Sequence, residues 1–440
     1  MEENMQNLSL HRLLAFKQLT DPARILRTLA GSGYVKTFFP LSNEIQGRLF
    51  NLQGILDCAM QRAGYFLLGW VFFLMQIVPA NGQESILPVL NRADSLQAEN
   101  AKTLFLRLSN NNFLFDAEYF SPLEDGYTWI GLQFQPEIFY QVSQHFLIHG
   151  GVYLLKYSGR KEISDVRPVF SVTYQFNPAV SLIMGTLYGS LNHRLPEPLY
   201  QYDRSIFDYP EEGVQTLVHT SWLEGDYWLQ WRNFILPGDP HQEELVFGTS
   251  SLFKISSEDM DWRFSIPVYT LINHRGGQID ASPRPVHTFG NLAAGVKVDK
   301  DLSGNFFRNL VLSMVAYNYF DQSGTALFPL FSSGFALQPE ASVSGKTLSL
   351  RGGYWYGHDF YSLLGEPLFA TASGKTGFNA AYHNRHLLTL KLQFQKNLEK
   401  GLNFFFYGNG FYDLGLGRFD YNVGLQLLFN MDVRLAGPKR

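Results

Sequence analysis

Cysteine is almost missing: Cys58 is the only one in 440 residues. A disulfide framework or a cysteine metal site is therefore excluded. There is no basic excess either. Thirty-five Lys and Arg face 39 Asp and Glu, for a net charge of −4, and the electrostatic footprint of a nucleic-acid binder is absent. Long apolar runs are scarce as well. The one example is AGYFLLGWVFFLMQIVPANGQ, residues 63–83. Its dense part, Ala63 to Met75, falls short of the roughly 20 residues of a spanning helix and fits the roughly 7–15 residues of a secretory h-region. Arg62 precedes it; Pro79 and the small residues Ala80-Asn81-Gly82 follow at the spacing a signal peptidase reads. The expectation is a signal peptide over 60–82, starting at Met60, with a mature chain from near Gln83. Residues 1–59 are then an over-extended reading frame, not in the mature protein. The rival is a cytosolic segment, in which LHRLLAFKQL is amphipathic, ahead of a retained anchor.

What the chain does have is aromatic residues, 15% of the total, and 39 glycines. It also has alternation. Phe419, Tyr421, Val423, Leu425, Leu427, Phe429, Met431 and Val433 are separated by Asp420, Asn422, Gly424, Gln426, Leu428, Asn430 and Asp432. Side chains of a strand point alternately to its two faces, so one face here is apolar and the other polar. The stretches at 127–140, 166–176 and 386–396 repeat the pattern, and 227–236 does so less cleanly. No segment from 105 to 435 carries a helical period. About sixteen strands result, within a range of about 14–18, the first at 111–120 and the last at 419–433.

Every second connection is short: 142–145, 177–178, 223–226, 256–260, 344–345 and 397–401. The alternate ones are often long: 190–213, 273–288, 321–333 and 358–385. Trp222, Tyr227, Trp228, Trp262, Tyr174, Phe176, Phe394 and Phe404 lie near short turns, and Tyr127, Trp129, Trp355 and Tyr356 near long loops. Short turns on one side, long loops on the other and two aromatic girdles are features of outer-membrane barrels. From about residue 111 to 433 the chain resembles a Gram-negative outer-membrane β-barrel of the porin-like class. It departs from that class at its end, where Phe429 is followed by MDVRLAGPKR instead of closing the chain.

The resemblance implies an all-β fold: a transmembrane, antiparallel, up-and-down barrel in the cell outer membrane. Lipid leaves no unpaired backbone group at an edge, so the last strand must pair with the first. Residues 83–110 form a periplasmic lead-in, with Leu87, Val89 and Leu90 available to fold back as a plug, and 434–440 form a short periplasmic tail. If apolar faces meet lipid, the lumen receives Asp116, Glu118, Glu137, Arg167, Arg232, Arg263, Lys297, Glu340, Arg351, Lys391 and Asp420. Mixed signs suit either a weakly selective polar channel or a filled barrel braced by ion pairs.

Asn-His-Arg occurs twice, at 192–194 and 273–275, and His383-Asn384-Arg385-His386 is a shuffled relative. On outer loops, His193, Arg194, His274 and Arg275 are candidates for lipopolysaccharide phosphates; no metal site and no cofactor are expected. Ser190 near His193, and His358 with Asp359, are the residues of hydrolase type, but neither carries a nucleophile motif. The loop 190–213 is too apolar for disorder and either folds into the barrel or docks a partner; 358–385 is similar. The expected function is a channel for small polar solutes and not an enzyme. The alternatives are a closed barrel subunit of an outer-membrane assembly, contacted through 190–213 and 358–385, and an outer-membrane hydrolase.

Overall fold

A computed structural model describes residues 89–90, 96–277, 279–304, 306–323, 331–375 and 380–438. The expected signal peptide, residues 1–59 and Leu87 of the expected lead-in lie outside the described residues. Sixteen strands form one closed barrel, each paired antiparallel with its sequence neighbours and β16 with β1. They are β1 (Thr103–Glu118), β2 (Tyr127–Gln141), β3 (Phe146–Tyr157), β4 (Asp165–Asn177), β5 (Val180–Thr186), β6 (Glu212–His219), β7 (Leu223–Asn233) and β8 (Glu244–Lys254). The circuit continues through β9 (Trp262–Arg275), β10 (His287–Asp301), β11 (Asn309–Asp321), β12 (Ser333–Ser344), β13 (Leu348–His358), β14 (Asn384–Glu399), β15 (Leu402–Asp413) and β16 (Arg418–Ala436).

The β1–β16 seam closes the wall, with Leu114 opposite Leu425 and Leu106 opposite Val433. Closure satisfies the backbone groups that lipid would leave unpaired. The wall, its apolar outer belt and its loop parity make the chain an outer-membrane β-barrel. Connections after even-numbered strands are short, down to 178–179 and 400–401, whereas 187–211 and 359–383 on the opposite rim are long. The short side is periplasmic by the rule for such barrels.

β16 alternates as its sequence dictates. Phe419, Leu425 and Met431 are exposed on the lipid face, while Asp420, Asn422 and Gln426 are buried inside. Near the short turns, Tyr174, Phe176, Trp222 and Trp262 stay exposed, the position an amphipathic ring takes at a water–lipid boundary.

The first strand departs from expectation twice. It starts at Thr103, so 103–110 belong to the wall and not to a lead-in. Leu104, Leu106 and Leu108 supply its outward face there. Its outer half is also turned round. Phe113, Phe115 and Ala117 are buried inside, and Asp116 and Glu118 point outward, Asp116 accepting from the Thr128 hydroxyl across the strand pair. The reason is that the lumen beside them is not water. Trp129 and Trp355 likewise face inward: Trp355 is fully buried against Phe360 and Phe369, so neither belongs to an outer aromatic girdle. Trp228, expected at the periplasmic girdle, is also buried inside.

Candidate functional site

Two long connections fill the outer half of the barrel. Leu199, Tyr200, Ile206 and Tyr209 of 187–211, and Phe360, Leu364, Leu368 and Phe369 of 359–383, are buried with wall residues in one apolar cluster. Val89 and Leu90 belong to the same cluster. The apolar composition of 190–213 thus ends up as interior packing, because burying it against wall residues, Tyr209 on Tyr153 and Phe207 on Trp129, removes that surface from water.

Ion pairs pin this plug to the wall. Lys391 Nζ lies 2.6 Å from Glu197 Oε2. Arg204 and Arg232 share Asp208, at 2.7 and 2.9 Å. Arg385 binds Asp413 through two nitrogens, at 3.0 and 2.7 Å, and donates to the carbonyls of Leu368 and Ala370. The plug reaches far across the barrel: Arg194 bonds Glu224 near the short-turn end of β7.

His193 sits between two carboxylates, with Asp226 2.8 Å from Nδ1 and Glu211 3.0 Å from Nε2. Burial alone would lower its pKa, but Asp226 and Glu211 outweigh burial and raise it to about 9. Burial would raise Glu211, yet the charge of His193 brings it below its ordinary value. Burial pushes the carboxyls of Asp203 and Glu366 upward, and each carboxylate near Glu366 adds to the effect. A doubly bonded imidazolium has no free lone pair, so His193 is a clamp and not a base. Ser190 is buried with it, out of reach of a membrane lipid.

The other expected residues are placed as follows. Glu137, Arg167, Arg232, Arg263, Lys297, Glu340, Arg351, Lys391 and Asp420 are on inward faces. Most are paired: Arg167 with Asp165, Arg263 with Asp301 and Lys297 with Asp299. Glu137 faces His149 at 3.5 Å, and Asp420 accepts from the backbone of Phe120 and Ser121. Asp116 and Glu118 are the two exceptions, outward as described. The outer-loop candidates are not on loops exposed outside. His193 and Arg194 are inside the barrel, because the plug turns inward. His274 and Arg275 end β9: His274 is outward beside Thr288 at 2.7 Å, and Arg275 is inward on Glu244 at 3.3 Å.

Below the plug an open cavity of about 530 Å³ remains. Leu195 and Tyr202 of the plug roof it, and Ser344, Gly345 and Thr347 at the β12–β13 turn mark its periplasmic end.

On the outer rim over β13 and β14, a different cluster forms. Asp359 follows the end of β13 with φ +48°, and its carboxylate lies 2.8 Å from His383 Nδ1. The His383 side chain is 77% exposed. His358 Nε2 stands 3.7 Å from the same carboxylate. On the lipid-facing side below, Tyr354 bonds His386 at 2.6 Å, and Tyr356 and His358 both meet Asn384 Oδ1, at 2.8 and 2.9 Å. Asp359 holds the His383 ring at Nδ1 while most of that side chain is open to solvent, an arrangement that an oriented general base can use. The sequence signal was two separate fragments, His358-Asp359 and His383-Asn384; only the pairing of β13 with β14, His358 opposite Asn384, brings them together. No cluster of three or more metal-ligating side chains is found among the described residues.

A family model described as lipid A 3'-O-deacylase-type matches residues 96–438. No curated protein matches the chain. Among solved structures, the outer-membrane protein OpdK from Pseudomonas aeruginosa is 10% identical over 76% of this chain and 100% of its own, with a TM-score of 0.44. OprD from the same organism is 11% identical over 78% and 99%, at 0.44. A BenF-like porin from Pseudomonas fluorescens is 10% identical over 76% and 100%, at 0.43. Likeness at this level does not carry function. The family match overturns the expectation that the chain is not an enzyme. That expectation followed from the lack of a sequential nucleophile motif.

Proposed function

Because the chain belongs to the lipid A 3'-O-deacylase-type family, we propose that it hydrolyses an acyl ester of a glycolipid held in the outer leaflet, at the rim over β13 and β14. His383 is the general base and Asp359 its orienting partner. Nε2 of His383 takes a proton from water, and the water oxygen bonds to the ester carbonyl carbon. The tetrahedral intermediate then breaks its bond to the sugar oxygen, which takes the proton back from the imidazolium. A fatty acid and a sugar hydroxyl leave.

The observation that carries this reading is the 2.8 Å contact of Asp359 with an exposed His383, beside a wall whose outward residues meet lipid. The filled outer lumen adds support, since it directs substrate access to the outside of the wall. The test is mass spectrometry of lipid A incubated with the purified chain in detergent. Loss of one acyl chain by the wild type, abolished in His383→Ala and retained in His274→Ala, is the expected result. Intact lipid A with the wild type, or equal cleavage by His383→Ala, sinks the reading.

The second reading is passage of small polar solutes, favoured by the cavity of about 530 Å³ under the plug. Its test is single-channel conductance in a planar bilayer: silence at every voltage counts against it.

A further inference from the structure

We infer that the cavity under the plug is a binding site, entered from the periplasmic side, for a small organic monoanion that carries a carboxylate and an apolar body. It is independent of the rim chemistry and requires no passage through the wall.

The cavity of about 530 Å³ lies within the roughly 300–1,000 Å³ of small-molecule sites. Arg194, Lys297 and Arg351 are the cations that line it, and Glu340 is the lining carboxylate. Arg194 is held by Glu224 at 3.0 Å and Lys297 by Asp299 at 3.2 Å. Arg351 is different. Its ion-pair contact among the described residues is Glu340 Oε2 at 4.0 Å, beyond hydrogen-bond reach. Glu340 Oε1 instead accepts from Gln338 at 3.2 Å. The Arg351 guanidinium therefore presents a fork of N–H donors to open space, and that fork matches a carboxylate with two parallel bonds.

Among the described residues Arg351 is the lining cation with no hydrogen-bonded acid, and Glu340 beside it offsets part of its charge, so the site has room for one negative charge at most. A dianion would leave its second charge without a partner, which disfavours phosphate. The remaining wall supplies the rest of the recognition. Tyr202, Tyr269, Tyr317 and Tyr407 line the cavity and offer ring faces to an apolar or aromatic body. Tyr202 is fixed from behind by Lys391, whose Nζ stands 4.0 Å from the ring centre.

The probe is 3-phenylpropionate, with inorganic phosphate as the second arm, in equilibrium dialysis against the full chain in detergent. Expected is saturable binding of one 3-phenylpropionate per chain, weakened about tenfold or more by Arg351→Gln, the loss of a charge-assisted pair. Glu340→Gln, which removes the competing carboxylate, tightens it. Opposite signs from two neighbouring substitutions cannot come from unfolding, and heat-modifiable gel migration confirms each barrel. Asp359→Ala leaves binding unchanged, so failure of the hydrolase reading is separable from failure of this one. No saturable binding, equal binding by Arg351→Gln, or retention of phosphate in place of 3-phenylpropionate overturns the assignment.

Discussion

The imidazole of His193 lies flat on the indole of Trp228, ring centres 3.6 Å apart and planes 10° from parallel. A carboxylate stands at each of its nitrogens, Asp226 from the wall and Glu211 from the far end of the plug loop. One side chain thus ties both ends of 187–211 to β7. Removing it leaves two buried carboxylates facing each other, and breaking such a buried network costs about 3–5 kcal/mol. His193→Ala is expected to free the loop locally while the barrel persists. Limited proteolysis between 190 and 211 checks it: the variant is cut, and the wild type is not.

The clamp also has a pH sign. The pKa of His193 in the fold is about 9, above the ordinary 6.5. Its stabilising contribution is therefore complete below about 6.5 and is lost as pH rises through about 9. Protection of the loop from protease is expected to hold at pH 6 to 7 and to fall between pH 8 and 10. Protection that improves with alkali would mean the imidazole is neutral in the fold.

A smaller substitution tests the same stack from the other side. Trp228 pairs across the strands with Gly248, and a Cβ at Gly248 would stand 2.0 Å from the indole ring. Gly248→Ala must push Trp228 off its place, and with it the face on which His193 rests. Overpacking of this kind costs about 1–3 kcal/mol. The expected readout is loop cleavage like that of His193→Ala, but weaker, with the amount of folded barrel unchanged on a heat-modifiability gel.

The wall was legible and the plug was not, for one physical reason. Alternation reports two faces, but it does not report which solvent each face meets. Along β16 the polar residues Asp420, Asn422 and Gln426 do face inward, so the inference from apolar to lipid holds. Along the outer half of β1 it fails, since Phe113 and Phe115 turn inward onto the wall aromatics Tyr157, Tyr127, Trp129 and Tyr407, in the same buried cluster as the plug, and leave Asp116 and Glu118 outside. The loop 190–213 gave the warning through its own apolar content. Its route could not be read, because Glu197–Lys391 and Arg194–Glu224 are contacts between residues far apart in sequence. The rim pair was half legible: His358-Asp359 and the His383 tetrad were each visible, but their meeting depends on the β13–β14 register.

Depth in the membrane separates outward side chains that look alike in sequence. Leu390 is exposed on the lipid face near the middle of β14, whereas Trp222 is exposed beside the short β6–β7 turn. A charge at the bilayer midplane costs about 2–4 kcal/mol, falling to about 0–1 near the boundary. Leu390→Arg is therefore expected to lose most of that range in urea titrations of the barrel folded into vesicles, and Trp222→Arg little. Equal losses at the two positions would mean that lipid does not contact the wall where the outward leucines place it.

Hydrolysis at the rim makes the sharpest demand on Asp359. Its carboxylate contributes no atom to the ester; it holds His383 with Nδ1 protonated and Nε2 free. Asp359→Asn keeps the shape but presents an amide that can stabilise the wrong tautomer, and it removes the charge that favours the imidazolium formed in the reaction. The expected outcome is a fall in kcat of about 10²–10⁴-fold, the usual worth of positioned acid–base catalysis, with KM changed far less because the glycolipid does not rest on this carboxyl. Steady-state rates on lipid A vesicles read both constants. A variant that loses KM and keeps kcat would recast Asp359 as a headgroup contact and remove His383 from the role of base.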